Sequence, residues 1–503
     1  MSDQETGRVA GLTSRESDWA GLRTVVAGLG VSGFAAADAL LERGAQVIVV
    51  DTGNGSTDQA ERARILEILD ADVRLGPEHT AALPEYADGP VDLVVTSPGW
   101  RPDHPVLAAA ATAGIPVWGE VELAWRMRPA TGAAPWLTVT GTNGKTTTVQ
   151  MLTSMLRAAG LRTIAAGNVG TPILEAIMDP EPYDVIAVEL SSFQLHWSES
   201  ISALASCVLN VAPDHLDWHG GQEAYAAAKA KIYERTQVAC VYNHDDKATE
   251  AMVEEADVIE GCRAIGFTLG TPHLSMLGLV EDVLADRAFV EERKTSAAEL
   301  ATLRDVPGGA DGAPPPHLVA DALAAAALAR AAGVPPAAVQ AGLRDFVPDA
   351  HRITEIGEIG GVRFVNDSKA TNPHAAAASL GAYEHIVWIA GGQLKGADVD
   401  DLVTGAAARL RGAVLLGQDR GQIAAALARH APQIPVVEVP SADTGDVTVV
   451  MDEAIEAALT LAQPGDVVLL APAAASLDMF AHYGARCEIF TQAVRRRAGQ
   501  GES

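Results

Sequence analysis

The sequence predicts an α/β protein of three domains, and three observations carry that prediction. A β-rich run at 24–27 leads into Gly28, Gly30 and Gly33 with the spacing G-x-G-x-x-G, and Asp51 closes a second such run about twenty residues on, a Rossmann-like fingerprint. Further along, Trp136, Leu137 and Val139 form an apolar run into Gly141-Thr142-Asn143-Gly144-Lys145-Thr146, after which Val149, Met151, Leu152, Met155 and Leu156 recur with helical spacing. In the N-terminal third, short β-rich runs alternate with alanine-rich helical stretches, the pattern of a parallel sheet with crossover helices. At about 150 residues per domain, 503 residues divide into three. The expected domains are Rossmann-like at 1–124, phosphate-loop α/β at 125–347, and again Rossmann-like at 348–503.

Taken in order, the first block is expected to place strands at 24–27, 47–50 and 91–96. A second block begins near Pro135 with the glycine loop and continues through strands at 185–190, 207–211 and 238–242. The third starts after Phe346-Val347-Pro348, with strands at 363–366, 386–390, 413–416 and 467–470. The stretch 302–316, with Pro307-Gly308-Gly309 and three consecutive prolines, reads as a surface loop. Residues 322–332 are rich in alanine, and Leu323 and Leu328 fit a buried helix face.

A 48% hydrophobic and 20% charged composition suits a soluble globular protein. The net charge of −29 argues against a large nucleic-acid footprint, and Arg495-Arg496-Arg497 is too short a basic run to reverse that. A small anionic substrate stays admissible, because a local basic pocket outweighs a distant, screened field. Cys207, Cys240, Cys262 and Cys487 show no C-x-x-C spacing, so neither a zinc site nor a disulfide framework is expected, and reduced thiols fit a cytoplasmic protein. No apolar stretch approaches the ~18–20 residues of a membrane span, and the polar segment from Met1 to Arg15 is not signal-like.

The glycine loop carries the chemistry. Glycines at 141 and 144 let backbone N–H groups turn toward phosphate oxygens, the following helix start adds partial positive charge, and Lys145 neutralises the outer phosphates. Thr146 is placed to offer its hydroxyl to Mg²⁺. Val139 stands where the usual Gly-x-x-x-x-Gly-Lys spacing has glycine, and the competing reading is a glycine-containing turn before a surface lysine. Glu189 ends an apolar strand, where open α/β sheets bind ligands, and is a candidate Mg²⁺ ligand; a solvated strand-end carboxylate is the alternative. His215, in Asn210-Val211-Ala212-Pro213-Asp214-His215, falls at the same edge of the sheet. Lys229 and Lys231 lie on an alanine-rich helix, where pattern alone makes both solvated.

Together these residues resemble the Mur ligase family, the ATP-dependent amino-acid-adding enzymes of peptidoglycan synthesis, from about Thr24 to Phe490. In the central domain the resemblance implies ATP contacts at Gly141, Thr142, Asn143, Gly144, Lys145, Thr146 and Thr147, with Thr146, Glu189, His215 and Lys229 around Mg²⁺. Lys229 falls on the family's carbamylated lysine, a modification that turns an amine into an anionic oxygen ligand. Asn168, Ser191 and Gln194 are implied sugar-nucleotide contacts; so, in the first domain, are Gly28, Val31, Ser32, Asp51, Thr52, Ser97, Pro98 and Gly99, near Gly119-Glu120. That similarity turns the glycine fingerprint from a nicotinamide or flavin signal into a uridine diphosphate site. In the third domain, Arg352 and Asp367 would contact ATP and Lys369 would lie near the reacting phosphate.

Gly391-Gly392-Gln393-Leu394-Lys395 and Ala475-Ser476-Leu477-Asp478 look most like the family member that adds D-glutamate. Thr371 and Lys395 would hold the α-carboxylate of the amino acid, and Ser476 and the backbone near Tyr483 its side-chain carboxylate; without the family, Ser476 reads as a helix N-cap. The resemblance therefore implies a monomeric ligase using ATP, Mg²⁺, UDP-N-acetylmuramoyl-L-alanine and D-glutamate, with Lys145, His215, Lys229 and Lys369 catalytic and domain closure assembling the site. Another ligase of the superfamily, including the folylpolyglutamate type, is the nearest alternative, followed by an NAD-dependent oxidoreductase and a nonenzymatic nucleotide-gated protein. Leu318 and Asp321 stand where related enzymes often carry asparagine, and Gly53 where an arginine often follows the acidic-Thr pair.

Overall fold

Strands covered on both faces need apolar residues at nearly every position, and the runs meeting that demand form the inner strands of three sheets in a computed structural model, which describes residues 7–309, 312, 314–347, 354–440 and 446–500. The first sheet contains β1 (Arg23–Ala27), β2 (Gln46–Asp51), β3 (Asp72–Leu75), β4 (Leu93–Thr96) and β5 (Val117–Gly119), all parallel in the order β3-β2-β1-β4-β5. Helices α1 (Val31–Glu42), α2 (Thr57–Ile68), α3 (Pro105–Thr112) and α4 (Glu120–Arg126) make the crossovers and lead out of β5. The chain reverses direction across the sheet between β1 and β4, where open α/β sheets form a crevice at their carboxyl ends.

The second sheet comprises β6 (Trp136–Thr140), β7 (Thr163–Gly167), β8 (Val185–Glu189), β9 (Ala205–Val208), β10 (Ala239–Asn243), β11 (Arg263–Phe267), β12 (Met276–Val280), β13 (Val283–Asp286) and β14 (Ala298–Thr302). It runs β14-β13-β12-β11-β10-β9-β6-β8-β7, parallel up to β12 and antiparallel across β12–β14. The helices along this stretch of chain are α5 (Lys145–Ala158), α6 (Ile173–Met178), α7 (Ser192–His196), α8 (Leu216–His219), α9 (Gln222–Ala230), α10 (Lys247–Glu254), α11 (Pro316–Ala331) and α12 (Pro336–Asp345), of which α8 belongs by packing with the C-terminal part of the chain. In α11 every residue from Ala322 to Ala329 is buried, because the helix packs against α5, α12 and the strands β9–β11, and its alanines allow that close approach around Leu323 and Leu328. Gly342 of α12 is similarly forced: a Cβ there would stand 2.4 Å from the Cα of Met155 in α5. Between the first two sheets, the buried Glu122–Arg126 ion pair (2.7 Å) also accepts the backbone N–H groups of Glu199 and Ser200, so the charge is paired and its lone pairs are occupied.

The third sheet has β15 (Thr354–Ile359), β16 (Val362–Asn366), β17 (Ile386–Gly391), β18 (Leu410–Leu416), β19 (Val436–Glu438) and β20 (Val467–Leu470), ordered β15-β16-β20-β17-β18-β19 with only β15 antiparallel among these. It is covered by α13 (Pro373–Leu380), α14 (Asp400–Ala406), α15 (Arg420–His430), α16 (Val447–Leu461) and α17 (Tyr483–Gln500). By packing, the chain forms two units: residues up to Val211 with Ala226–Phe346, and Ala212–Tyr225 with the residues from Val347 on.

Several expectations change in detail. The strand expected at 207–211 is β9 and stops at Val208, which frees Asn210 for the glycine loop; the one expected at 91–96 starts at Leu93. The 302–316 stretch contains a 3₁₀ turn, Leu303–Asp305. The four cysteines are free thiols.

Candidate active site

The loop after β6 sits between the ends of β8 and β9, as its position in the sheet order requires. Gly144 has φ 86° at the start of α5, and a Cβ there would stand 2.3 Å from Oδ1 of Asp321, so both backbone and space demand glycine. Lys145 Nζ donates to the carbonyls of Gly141 (2.8 Å) and Thr142 (2.9 Å), bringing its charge to the mouth of the loop. Asn210, to which no role attaches in the sequence, holds the loop from the next strand end: its Oδ1 accepts from Asn143 N (2.9 Å), its Nδ2 donates to Asn143 O (3.1 Å), and its carbonyl accepts from Thr142 N (3.0 Å). Asp321 is buried beside Gly144, while Leu318 packs into the apolar core under α5.

Glu189 closes β8 and is 2% exposed. Its Oε1 accepts from Asn168 Nδ2 at 2.7 Å; its Oε2 is buried with no hydrogen-bond partner among the described residues. An ionised oxygen in that condition is costly unless a cation meets it. Lys229 is also 2% exposed, so the solvated reading of its helix position fails. Its Nζ donates to Gly141 O at 2.8 Å and lies 3.5 Å from Thr140 Oγ1, which itself donates to the carbonyl of Leu190. Lys231 is half-buried, its amine donating to the carbonyl of His196. Thr146, buried in the first turn of α5, completes a set of Thr146, Glu189 and Lys229 within one packing unit. The described residues hold no cluster of three His, Cys, Asp or Glu side chains, so a hard cation here would rely on the hydroxyl, Glu189, a modified Lys229 and ligand oxygens.

In the first domain, Asp51 Oδ2 accepts from Leu29 N (2.7 Å) and Oδ1 from Gly53 N (2.9 Å), fixing the glycine loop to the end of β2. A Cβ on Gly28 would lie 2.5 Å from Ser97 Oγ and 2.9 Å from Trp100 Nε1, so the turn after β4 closes tightly over it. Ser97 Oγ is buried without a hydrogen-bond partner among the described residues, and Val31 is 54% exposed at the start of α1. These features leave a donor and an apolar surface beside the crevice that Pro98, Gly99 and Thr52 flank. Ser191 and Gln194 cap α7 reciprocally, which ties their side chains to each other.

The other unit gathers the amino-acid candidates at the carboxyl ends of β16, β20 and β17. Gln393 and Ala475 exchange backbone hydrogen bonds (2.9 and 2.8 Å), joining the loop that carries Lys395 to the one that carries Ser476. Ser476 does not cap a helix: its carbonyl accepts from Phe480 N in a turn, and α17 begins only at Tyr483. Lys395 has φ 55°, and its Nζ lies 2.8 Å from Asp214 Oδ1 and 3.3 Å from His215 Nε2; His215 itself has φ 53°. Asp367 is buried and accepts a short hydrogen bond from Ser379, while Lys369 lies 5.7 Å from the Tyr483 ring centre. Thr371 is half-buried, on the turn after Lys369. Arg352 lies outside the described residues. Sequence reasoning missed Arg486. This fully buried guanidinium donates to Ser368 Oγ (3.0 Å) and to the carbonyls of Ser368, Gly391 and Ala474, stapling all three strand ends. Burial lowers its pKa to about 10, which still leaves it charged near neutrality. An arginine on the buried face of an amphipathic helix was the available signal.

A glycine loop with Lys145 at its mouth, and a buried acidic oxygen without a hydrogen-bond partner among the described residues, on a largely parallel sheet that two further α/β domains precede and follow in the chain, define a nucleotide-using enzyme of the phosphate-loop class. The chain matches the Mur ligase middle domain over residues 139–328, the glutamate ligase domain of Mur ligases over 351–474, and the MurD-like N-terminal domain of Mur ligases over 22–119. It is 59% identical over 481 residues to UDP-N-acetylmuramoylalanine–D-glutamate ligase of Streptomyces coelicolor, covering 95% of this chain and 99% of that one. To the enzyme of the same name from Mycolicibacterium smegmatis it is 44% identical, covering 98% and 99%. The chain belongs to the Mur ligase family. Its fold also matches solved structures: MurF from Acinetobacter baumannii with a TM-score of 0.56 at 16% identity (95% and 90% covered), and UDP-N-acetylmuramate-alanine ligase MurC from Thermotoga maritima with 0.52 at 17% (94% and 99% covered).

Proposed function

We propose that this chain joins D-glutamate to UDP-N-acetylmuramoyl-L-alanine at the expense of ATP, in the cytoplasm, as a step of peptidoglycan precursor synthesis. The observation that carries this reading is the 59% identity over 95% of the chain, which takes in the phosphate loop, Glu189 and the Ser476 segment together. Domains at 1–124, 125–347 and 348–503 would hold the sugar nucleotide, ATP and the amino acid respectively.

A carboxylate is a poor electrophile, so it must be activated. One of its oxygens bonds to the γ-phosphorus as the bond from that phosphorus to ADP breaks; the glutamate nitrogen then bonds to the acyl carbon as the bond to phosphate breaks, and the amine loses a proton. Lys145 and the backbone N–H groups at the start of α5 counter the repulsion between two anions. Mg²⁺, held by Thr146, Glu189 and a carbamylated Lys229, would add Lewis-acid stabilisation of phosphoryl charge. His215 orients the reacting carboxylate or completes the metal's ligands, and Lys369, Asp367 and Arg352 serve the phosphates and nucleotide. Lys395 and Thr371 take the α-carboxylate, and Ser476 and the backbone near Tyr483 take the side-chain carboxylate.

ADP release is expected to require both UDP-N-acetylmuramoyl-L-alanine and D-glutamate, and mass detection across a panel of amino acids to find product with D-glutamate and not with L-glutamate. ADP release indifferent to either substrate would remove the ligase assignment, and product from another amino acid would move the chain elsewhere in the family.

A further inference from the structure

Phosphate bound at a glycine loop is ordinarily met by the loop's own backbone N–H groups. In the first domain two of those donors are already engaged at the end of β2. Gly28 N donates to Val50 O at 2.8 Å, and Leu29 N donates to Asp51 Oδ2 at 2.7 Å. An anion held at this loop must therefore take part of its hydrogen bonds from elsewhere, and two side-chain donors stand over the same glycine.

The chain leaves β4 into the tight turn Ser97-Pro98-Gly99-Trp100, in which Trp100 N donates to Ser97 O at 3.2 Å. The turn folds its first and last side chains back over the loop between β1 and α1: Ser97 Oγ (2.5 Å) and Trp100 Nε1 (2.9 Å) both crowd the point where a Cβ on Gly28 would be. The Ser97 hydroxyl is buried without a hydrogen-bond partner among the described residues, and the half-buried Trp100 side chain makes no hydrogen bond among them either. The indole has little freedom to turn away. Its ring lies 4.2 Å from that of His104, tilted by 49°, and it packs against the apolar cluster that includes Val25, Ile48 and Val94. An indole N–H can only donate, and a donor already fixed by packing loses little entropy when it meets its acceptor. Two such donors above a glycine whose own N–H is engaged suit an oxygen that carries negative charge. In the sugar nucleotide, the diphosphate supplies oxygens of that kind.

We infer that Trp100 is a substrate-binding residue, whose indole N–H joins the Ser97 hydroxyl in donating to a diphosphate oxygen of the sugar nucleotide. This rests on the substrate reading above. It is tested by NMR on protein carrying isotope-labelled tryptophan, which gives an indole N–H signal for each of the 8 tryptophans. The Trp100 signal is the one missing from Trp100→Phe, and adding uridine diphosphate to the wild type is expected to move it downfield. Calorimetry gives a second readout. Trp100→Phe keeps a ring against His104 and loses the donor. It should bind uridine diphosphate and UDP-N-acetylmuramoyl-L-alanine each about tenfold more weakly, the scale of one hydrogen bond to a charged group, with KM for ATP unchanged. Should Trp100→Phe fail to fold, Trp100→Leu serves for both readouts. A Trp100 signal unmoved by uridine diphosphate overturns the inference, as does undiminished affinity of the variant for it. Weaker binding of the full substrate with uridine diphosphate unaffected would set the indole against the sugar, and overturns it equally. If wild type binds neither compound, the substrate reading itself falls, a result visible before any substitution is made.

Discussion

Lys229→Ala is expected to cut turnover by about 10²–10³-fold, the scale of removing one preorganised group from a charged transition state, and a short carboxylic acid such as acetate is expected to restore part of it. A buried lysine is an unusual sight, because an ammonium loses most of its hydration there. Here the amine sits against Gly141 O at 2.8 Å, at the entrance of the phosphate loop. An ammonium offers only donors, so as it stands it cannot ligate a cation. Once the ammonium has lost a proton, its nitrogen bonds to the carbon of carbon dioxide and gives up a second proton to solvent, leaving an anionic carbamate with two acceptor oxygens, which suits a hard metal. Alanine removes both amine and carbamate, and leaves space that a small carboxylate fills with equivalent oxygens. The check is steady-state ADP release with and without added acetate or formate. Full activity in Lys229→Ala would dismiss the role altogether, and loss without rescue by any short acid would dismiss the carbamate.

Glu189→Gln should act in opposite directions on activity and stability. The Asn168 amide still finds an oxygen at position 189, so the hydrogen bond seen at 2.7 Å can persist. What disappears is the charge on an oxygen that is buried without a hydrogen-bond partner among the described residues. Neutralising a buried carboxylate that has one oxygen without a hydrogen bond among the described residues should leave the metal-free protein as stable as before or raise its melting temperature by a few degrees, roughly the effect of 1–2 kcal/mol. Turnover should nevertheless fall by about 10²–10³-fold, because the same oxygen is the one available to a cation. Thermal unfolding in a chelator, beside the ADP assay at saturating magnesium, measures both. A lowered melting temperature would mean that the carboxylate serves the fold rather than the metal.

The elements legible in the sequence were those whose surroundings are uniform. β1, β2, β4, β6, β8, β17 and β20 are apolar almost throughout because both faces are covered, and the glycines at 28, 141 and 144 announced turns that only glycine makes. Edge strands were harder. β3 and β15 are half-exposed along their length and carry no clear alternation, and the antiparallel β12–β14 extension interrupts the expected α/β rhythm. At the site, Lys145 and Glu189 could be found from local context. Lys229 could not, because its burial is set by a carbonyl 88 residues away, and pattern alone put it in solvent. Arg486 and Asn210 share that difficulty: each is defined by the separate strand ends it joins, and neither sits in a motif.

The alanine helix α11 has a mechanical meaning as well. Packed against both α5 and the strands β9–β11, it works as a gauge block faced mostly with methyl groups, with Leu323 and Leu328 as the larger side chains in the buried run. α5 carries Lys145 at its first position and rests on β6, β7 and β8 itself, so the close fit of α11 beside it helps fix where that helix start stands. A run that looks compositionally plain is thus one with little dimensional tolerance, and its monotony is a specification of width.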